Sequence, residues 1–231
     1  MAKPSKNVGK GKKASIHISP LTPKTDNQRL ALQLLQEYQA VVLEGLAGTG
    51  KTYIAVHHAL TLLLKGAVDK IIFTRPLTTV GNERIGFLPG DVNDKVRPYT
   101  EQFYDYLEEF APMLSFEDVK VVGDRLEFIP LAFLRGRNFA RTVVIADEMQ
   151  NSSHIQMKTL LTRIGEESQL ILLGDMRQED VAQQGGNGLA DLVRKISLDP
   201  DGGYVGHVRF GVEDIQRSEF VKYIMRLYGD F

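Results

Sequence analysis

Residues 40–64 read AVVLEGLAGTGKTYIAVHHALTLLL, and this stretch decides the fold. A short β-branched apolar run at 40–43 suits a buried strand. It ends in Glu44-Gly45, and an apolar helical pattern starts at Lys51. Between them lies Gly45-Leu46-Ala47-Gly48-Thr49-Gly50-Lys51-Thr52, which matches GxxxxGK[ST] in the strand-to-helix setting that the pattern requires. Glycines let the backbone wrap closely around phosphate, and the helix N-terminus faces it with free amides and the positive end of its dipole. Lys51 reaches the outer phosphates, Thr52 offers a hydroxyl to Mg²⁺, and Tyr53 follows directly as a further nucleotide-contact candidate.

Working outward, the same strand-then-turn logic recurs twice. Val143-Val144-Ile145-Ala146-Asp147-Glu148 is a buried strand ending in two acids. In a parallel sheet such an end lies beside the phosphate loop, so Asp147 is the candidate metal carboxylate and Glu148 the candidate base for an attacking water. Leu172-Leu173-Gly174-Asp175-Met176-Arg177-Gln178 repeats the pattern, with Gln178 placed to report the γ-phosphate and orient water.

Helices are expected over 28–38, 51–64, 94–114, 153–164, 188–197 and 214–228, the last with Ile215, Phe220, Ile224 and Leu227 facing inward. Strands are expected over 40–43, 70–74, 142–146, 169–173 and 204–210, and a hairpin over 119–129 turning at Gly123-Asp124. Alternating apolar strands and helices imply an α/β fold whose mainly parallel sheet is covered by helices on both faces.

Composition agrees with one such domain. The chain has 231 residues, 43% hydrophobic and 25% charged, enough apolar material for one core. It has no Cys, which removes disulfides and thiolate metal sites, and its five His have no zinc-like spacing. No apolar run approaches the roughly 20 residues that span a bilayer. A cytoplasmic protein without a membrane partner is therefore expected. Lys3, Lys6, Lys10, Lys12, Lys13 and Lys24 all precede the first acid, Asp26. Residues 1–24 read as a basic, disordered tail able to hold a nucleic-acid backbone, and 25–231 as a single ATPase domain.

Taken together the strings carry a resemblance. GLAGTGKT at Gly45, FTRP at Phe73, GFLPGD at Gly86, FLRGR at Phe133, VVIADEMQN at Val143, MKTLLTRIG at Met157, LLGDMRQED at Leu172 and DIQRSEFV at Asp214 occur in the order and spacing of the PhoH-like ATPases, relatives of superfamily 1 helicase motor domains. That family more often has Pro after the first loop glycine and Ala after the acid pair, where this chain has Leu46 and Met149. Both departures spare the phosphate and metal ligands. The resemblance implies a RecA-like P-loop NTPase domain with Mg-dependent ATP binding and hydrolysis coupled to single-stranded RNA or DNA. It also implies Gln28 as the reader of adenine and Arg217 as an arginine approaching the γ-phosphate, with Arg135, Arg137 and Arg163 as alternative fingers and Arg75 as a nucleic-acid contact. One motor domain alone lacks the second surface of a helicase, so a homo-oligomer, as a hexameric ring, is expected. The rival readings are an ATP-dependent RNA helicase or remodeller working as an oligomer, and a nucleotide-binding switch that does not hydrolyse. A guanine-specific enzyme is disfavoured because no Asn-Lys-x-Asp string is present.

Overall fold

A computed structural model describes residues 18, 20–76, 105, 123–177, 186–199 and 202–229. The elements are α1 (Asp26–Glu37), β1 (Ala40–Gly45), α2 (Lys51–Leu64), β2 (Lys70–Thr74), β3 (Leu126–Phe128), β4 (Thr142–Ala146), α3 (His154–Leu161), β5 (Gln169–Gly174), α4 (Gly188–Ser197), β6 (Val205–Phe210) and α5 (Glu219–Tyr228). Short 3-10 turns occupy Leu131–Phe133, Met149–Asn151 and Val212–Asp214.

The strands form one sheet in the order β3-β2-β4-β5-β1-β6, and every described pairing is parallel. Residue parity sorts the two faces. Val41, Leu43, Ile71, Val143, Ile145, Ile171 and Leu173 pack with Ala31 and Leu35 of α1 and Ile54, Ala59 and Leu63 of α2. Val42, Ile72, Val144, Leu170 and Leu172 pack with Met157 and Leu160 of α3 and Leu189 of α4. Runs such as TVVIA and QLILLG are apolar at consecutive positions because both faces are covered. Among the described residues no helix is long and apolar enough to cross a membrane.

Capping sets the helix starts. The Thr25 side chain accepts from the Gln28 amide (3.2 Å), and Ser153 and Gln156 form a reciprocal capping box at α3. Three expectations change. Helix α3 stops at Leu161, short of 164, because Phe139 takes residues 163–165 into an extended pairing, with Phe139 N donating to Arg163 O (2.9 Å) and Gly165 N to Phe139 O (2.7 Å). The segment 126–128 is a parallel partner of β2, so it is a sheet strand rather than a hairpin arm, and 119–122 lie outside the described residues. The expected helix over 94–114 also falls outside them, Asp105 excepted.

The third change is at the C-terminal helix. It begins after the Ser218 cap, not at 214, because residues 211–217 are held elsewhere: Gly211 N and Asn27 Nδ2 donate to Asp214 Oδ2 (both 2.8 Å), and Gln216 N donates to Gly48 O (2.8 Å). Ile215 is buried as expected and Ile224 partly so, but Phe220 is 72% and Leu227 65% exposed, so much of the apolar side of α5 faces out. Helical period says which side chains share a face, not what that face meets.

One buried carboxylate braces the sheet next to the loop. Glu44 accepts from His207 Nε2 (3.0 Å) on β6 and lies 3.5 Å from Arg209 Nε. The His207 hydrogen bond holds the Glu44 carboxyl below its ordinary value of 4.5, against the opposing effect of burial. A depressed carboxylate stabilises the fold above the unfolded pKa, and that contribution is lost as pH falls through the folded value. Glu44→Gln is expected to lower stability by about 1 kcal/mol at neutral pH. The gap to wild type should narrow below pH 4.5, as read by urea midpoints across pH.

Candidate functional site

All strands being parallel, the residues after β1, β5 and β4 emerge on one edge, with β5 between the phosphate loop and the acid pair. A cleft of about 630 Å³ opens there. Its walls include Ala47, Gly48, Gly50, Lys51, Thr52 and Tyr53, the acids Asp147, Glu148 and Asp175, and Gln28 and Arg217. Residues 20–24, placed in the tail by the sequence reading, line it as well. Leu46 and Thr49 are buried beneath the loop, where Thr49 Oγ1 donates to Leu46 O (2.8 Å).

The loop depends on its glycines. Gly45, Gly48 and Gly50 have φ of 142°, 76° and 91°, the region that side chains avoid. A Cβ on Gly45 would lie 2.3 Å from the carbonyl oxygen of Phe210, and one on Gly48 would lie 2.8 Å from Arg217 Nε. Gly45→Ala should therefore cost at least about 2 kcal/mol, from strain and overpacking together, as measured by chemical denaturation. Gly50 opens α2 with no side-chain cap and no acid in the first turn, which leaves that helix end receptive to an anion.

Lys51 lies under the loop, its Nζ donating to Gly45 O and Leu46 O (both 2.7 Å). Burial lowers its pKa, opposed by Asp175, Asp147 and Glu148. The Asp147 carboxyl is raised by burial and then by Glu148, with Arg75 and Lys51 opposing, and one oxygen accepts from the Glu148 amide (2.9 Å). A divalent cation at this carboxylate would relieve that burial cost, as the donor set Thr52 and Asp147 allows. Glu148 sits at φ 53°, a left-handed turn that ends β4.

Two residues were missed by sequence reasoning. Gln150 is fully buried; its Nε2 donates to Glu148 Oε2 (2.5 Å) and its Oε1 accepts from Asp175 N (3.1 Å), so one amide ties the ends of β4 and β5. Asp175 is buried, accepts from Arg177 N (3.0 Å) on one oxygen and leaves the other without a hydrogen bond among the described residues. Both stand inside strings already singled out, two residues after Glu148 and one after Gly174, but nothing in those strings tells a linking side chain from a loop residue.

Of the sequence-predicted residues, the edge gathers the phosphate loop, Asp147 and Glu148, Gln28 and Arg217. Gln28 is buried, donating through Nε2 to Thr49 O (3.0 Å) and accepting from Lys24 N (2.8 Å). Arg217 lies against Gly48. Arg135, Arg137 and Arg163 do not line the cleft, and Gln178 lies outside the described residues. His58 is a packing residue, hydrogen-bonded to Gln169 (2.8 Å).

A strand-loop-helix phosphate cradle facing the acid-bearing strand of a parallel, doubly covered sheet defines a RecA-like P-loop nucleotide-binding domain. The family profile described as PhoH-like protein matches residues 20–229, and the chain belongs to that family. It is 37% identical over 205 residues to the PhoH-like protein of Synechocystis sp., covering 89% of this chain and 61% of the relative. It is also 37% identical over 213 residues to protein PhoH of Escherichia coli K12, covering 91% and 59%. The chain thus spans about three-fifths of the length of these curated relatives. Among solved structures, the Pif1 helicase from Candida albicans overlaps 90% of this chain and 44% of its own, at 14% identity and a TM-score of 0.41.

Proposed function

We propose that this chain binds Mg·ATP in the cleft and hydrolyses it, with turnover coupled to single-stranded RNA or DNA. The observation that supports this best is the meeting, on one sheet edge, of the Lys51 loop, the Asp147-Glu148 pair and Arg217. Gly48, Gly50 and the open start of α2 offer amides to the phosphates, and Lys51 exchanges its two loop carbonyls for β/γ oxygens. Thr52 and Asp147 hold the cation. Mg²⁺ at that position supplies charge neutralisation for the leaving diphosphate.

Glu148 takes the proton of the attacking water as its oxygen bonds to the γ-phosphorus and the bond to the bridging oxygen of ADP breaks. Gln150 fixes the Glu148 carboxylate, and Arg217 stabilises charge on the transferring phosphoryl group. Gln178 is the sensor in this reading, and Gln28 with the 20–24 strap bounds the base. Assembly as a homo-oligomer, in a hexameric ring, and a cytoplasmic location belong to the same proposal.

The test is steady-state ATP hydrolysis by purified protein with Mg²⁺, with and without single-stranded RNA or DNA, alongside light scattering for the assembly. Turnover that rises several-fold with nucleic acid supports the reading. Turnover indifferent to it removes the coupling, and tight ATP binding without turnover makes the chain a switch.

A further inference from the structure

The FLRGR string has no place in the cleft, yet the fold puts it on the same sheet edge. After β3 the chain is pinned to β2: Ile129 N donates to Phe73 O (2.9 Å) and Leu131 N to Arg75 O (3.1 Å). Leu131 and Leu134 are buried in the core shared with α3 and α4. Arg137 N closes the turn on Leu134 O (3.1 Å), and Gly136, at φ 87°, makes the reversal.

This anchoring drives the alternate residues outward. Phe133 is 57% exposed, and Arg135 is exposed with no hydrogen bond or ion pair among the described residues. Arg137 is half-exposed and steadied by Glu127 (3.3 Å), which also takes Lys70 (3.0 Å). Residues 131–138 contain no acid.

We infer that Phe133 and Arg135, with Arg137 beside them, form a platform for single-stranded nucleic acid: Phe133 stacks on an unpaired base and Arg135 takes a backbone phosphate. This rests on the proposed coupling of turnover to nucleic acid and gives that coupling a surface. A hydrogen-bonded turn that exposes an aromatic ring two residues before Arg135 and four before Arg137 fits a strand offering both π-faces and phosphates. A duplex would keep its base faces hidden.

The platform is also wired to the acid pair. Two strand spacings, about 10 Å, separate β3 from β4. The backbone path between them is short, since Leu131 N is bonded to Arg75 O and Asp147 N to Thr74 O (2.8 Å). A strand pulling on the turn therefore bears on the segment that positions Asp147.

The test is binding of fluorescein-labelled oligo(U) and oligo(dT) by anisotropy over a KCl series, the two probes separating RNA from DNA preference. Phe133→Ala is expected to weaken binding roughly tenfold, with Phe133→Tyr restoring it. Arg135→Ala should weaken binding and lower the salt slope by about one. Both variants should keep the wild-type melting temperature and nucleic-acid-free ATP turnover.

Wild-type affinity in both alanine variants, or no binding by the wild type, overturns the platform. So does loss of nucleic-acid-free turnover in Arg135→Ala that returns on mixing with Lys51→Ala protein, which would place Arg135 in a neighbouring copy's site. A wild type that binds the probes without hydrolysing ATP sinks the proposed activity and leaves the platform standing. One that hydrolyses ATP without binding them sinks the platform and the coupling together and leaves the hydrolysis standing.

Discussion

Glu148→Gln is expected to lower kcat for ATP by about 10²- to 10⁴-fold while Mg·ATP affinity stays near that of wild type. The substitution keeps the shape of the side chain and an oxygen able to accept the Gln150 Nε2 donor, so the buried link from the end of β4 to Asp175 survives. What disappears is a carboxylate able to take a proton from water. Loss confined to kcat is the signature of an interaction made only in the transition state. Rapid-quench turnover and a fluorescent-nucleotide titration measure the two quantities separately. A variant that hydrolyses ATP as fast as wild type would remove Glu148 from the mechanism, and one that fails to bind nucleotide would make it a structural residue of the cleft.

Lys51→Ala should weaken Mg·ATP binding by roughly 10- to 100-fold, the worth of one or two charge-assisted hydrogen bonds, and reduce turnover at saturation as well. The Lys51 environment explains why both fall. Asp175, Asp147 and Glu148 are the charges that favour its protonated form, so removing the ammonium leaves three acids facing an incoming triphosphate. Some stability should be lost as well, because the hydrogen bonds that Lys51 makes go to the carbonyls of Gly45 and Leu46, two buried residues. Isothermal titration with ATP, and with ADP as a control, reads the effect. Equal losses for both nucleotides would place Lys51 on the inner phosphates, whereas a larger loss for ATP places it on the γ-phosphate as well.

The two pKa directions in the cleft oppose each other: burial lowers Lys51 and raises Asp147. Each therefore has its charged form disfavoured by desolvation and favoured by the other. A site of this kind is costly to the empty fold and gains when a polyanion and a cation arrive together. That is a physical reason to expect nucleotide and metal to bind cooperatively.

How the residues became legible differs from one to the next. Gly45–Thr52 could be read directly, because a phosphate loop is contiguous and its glycines, lysine and hydroxyl are fixed by local backbone geometry. Asp147 and Glu148 could be read because they end an apolar run buried on both faces. Gln150 and Asp175 could not, since their importance is a hydrogen bond between the ends of two strands that are neighbours only in the folded sheet. The four candidate arginines are equivalent as residues. Arg217 is set apart from Arg135, Arg137 and Arg163 by the bond from Gln216 to Gly48, across more than half the chain.

The sequence by itself determined the strand and helix alternation, the parallel doubly covered sheet and the strand-to-turn settings of the loop and the acid pair. These follow from periodicity and sterics over a few neighbouring residues. Tertiary structure alone decided that β5 separates the loop from the acids, that residues 211–217 stay out of helix to hold Gly48 and Asn27, and that α5 turns much of its apolar side outward. Those outcomes depend on pairing and burial between distant segments, whose energies are sums over partners that no local window of sequence contains.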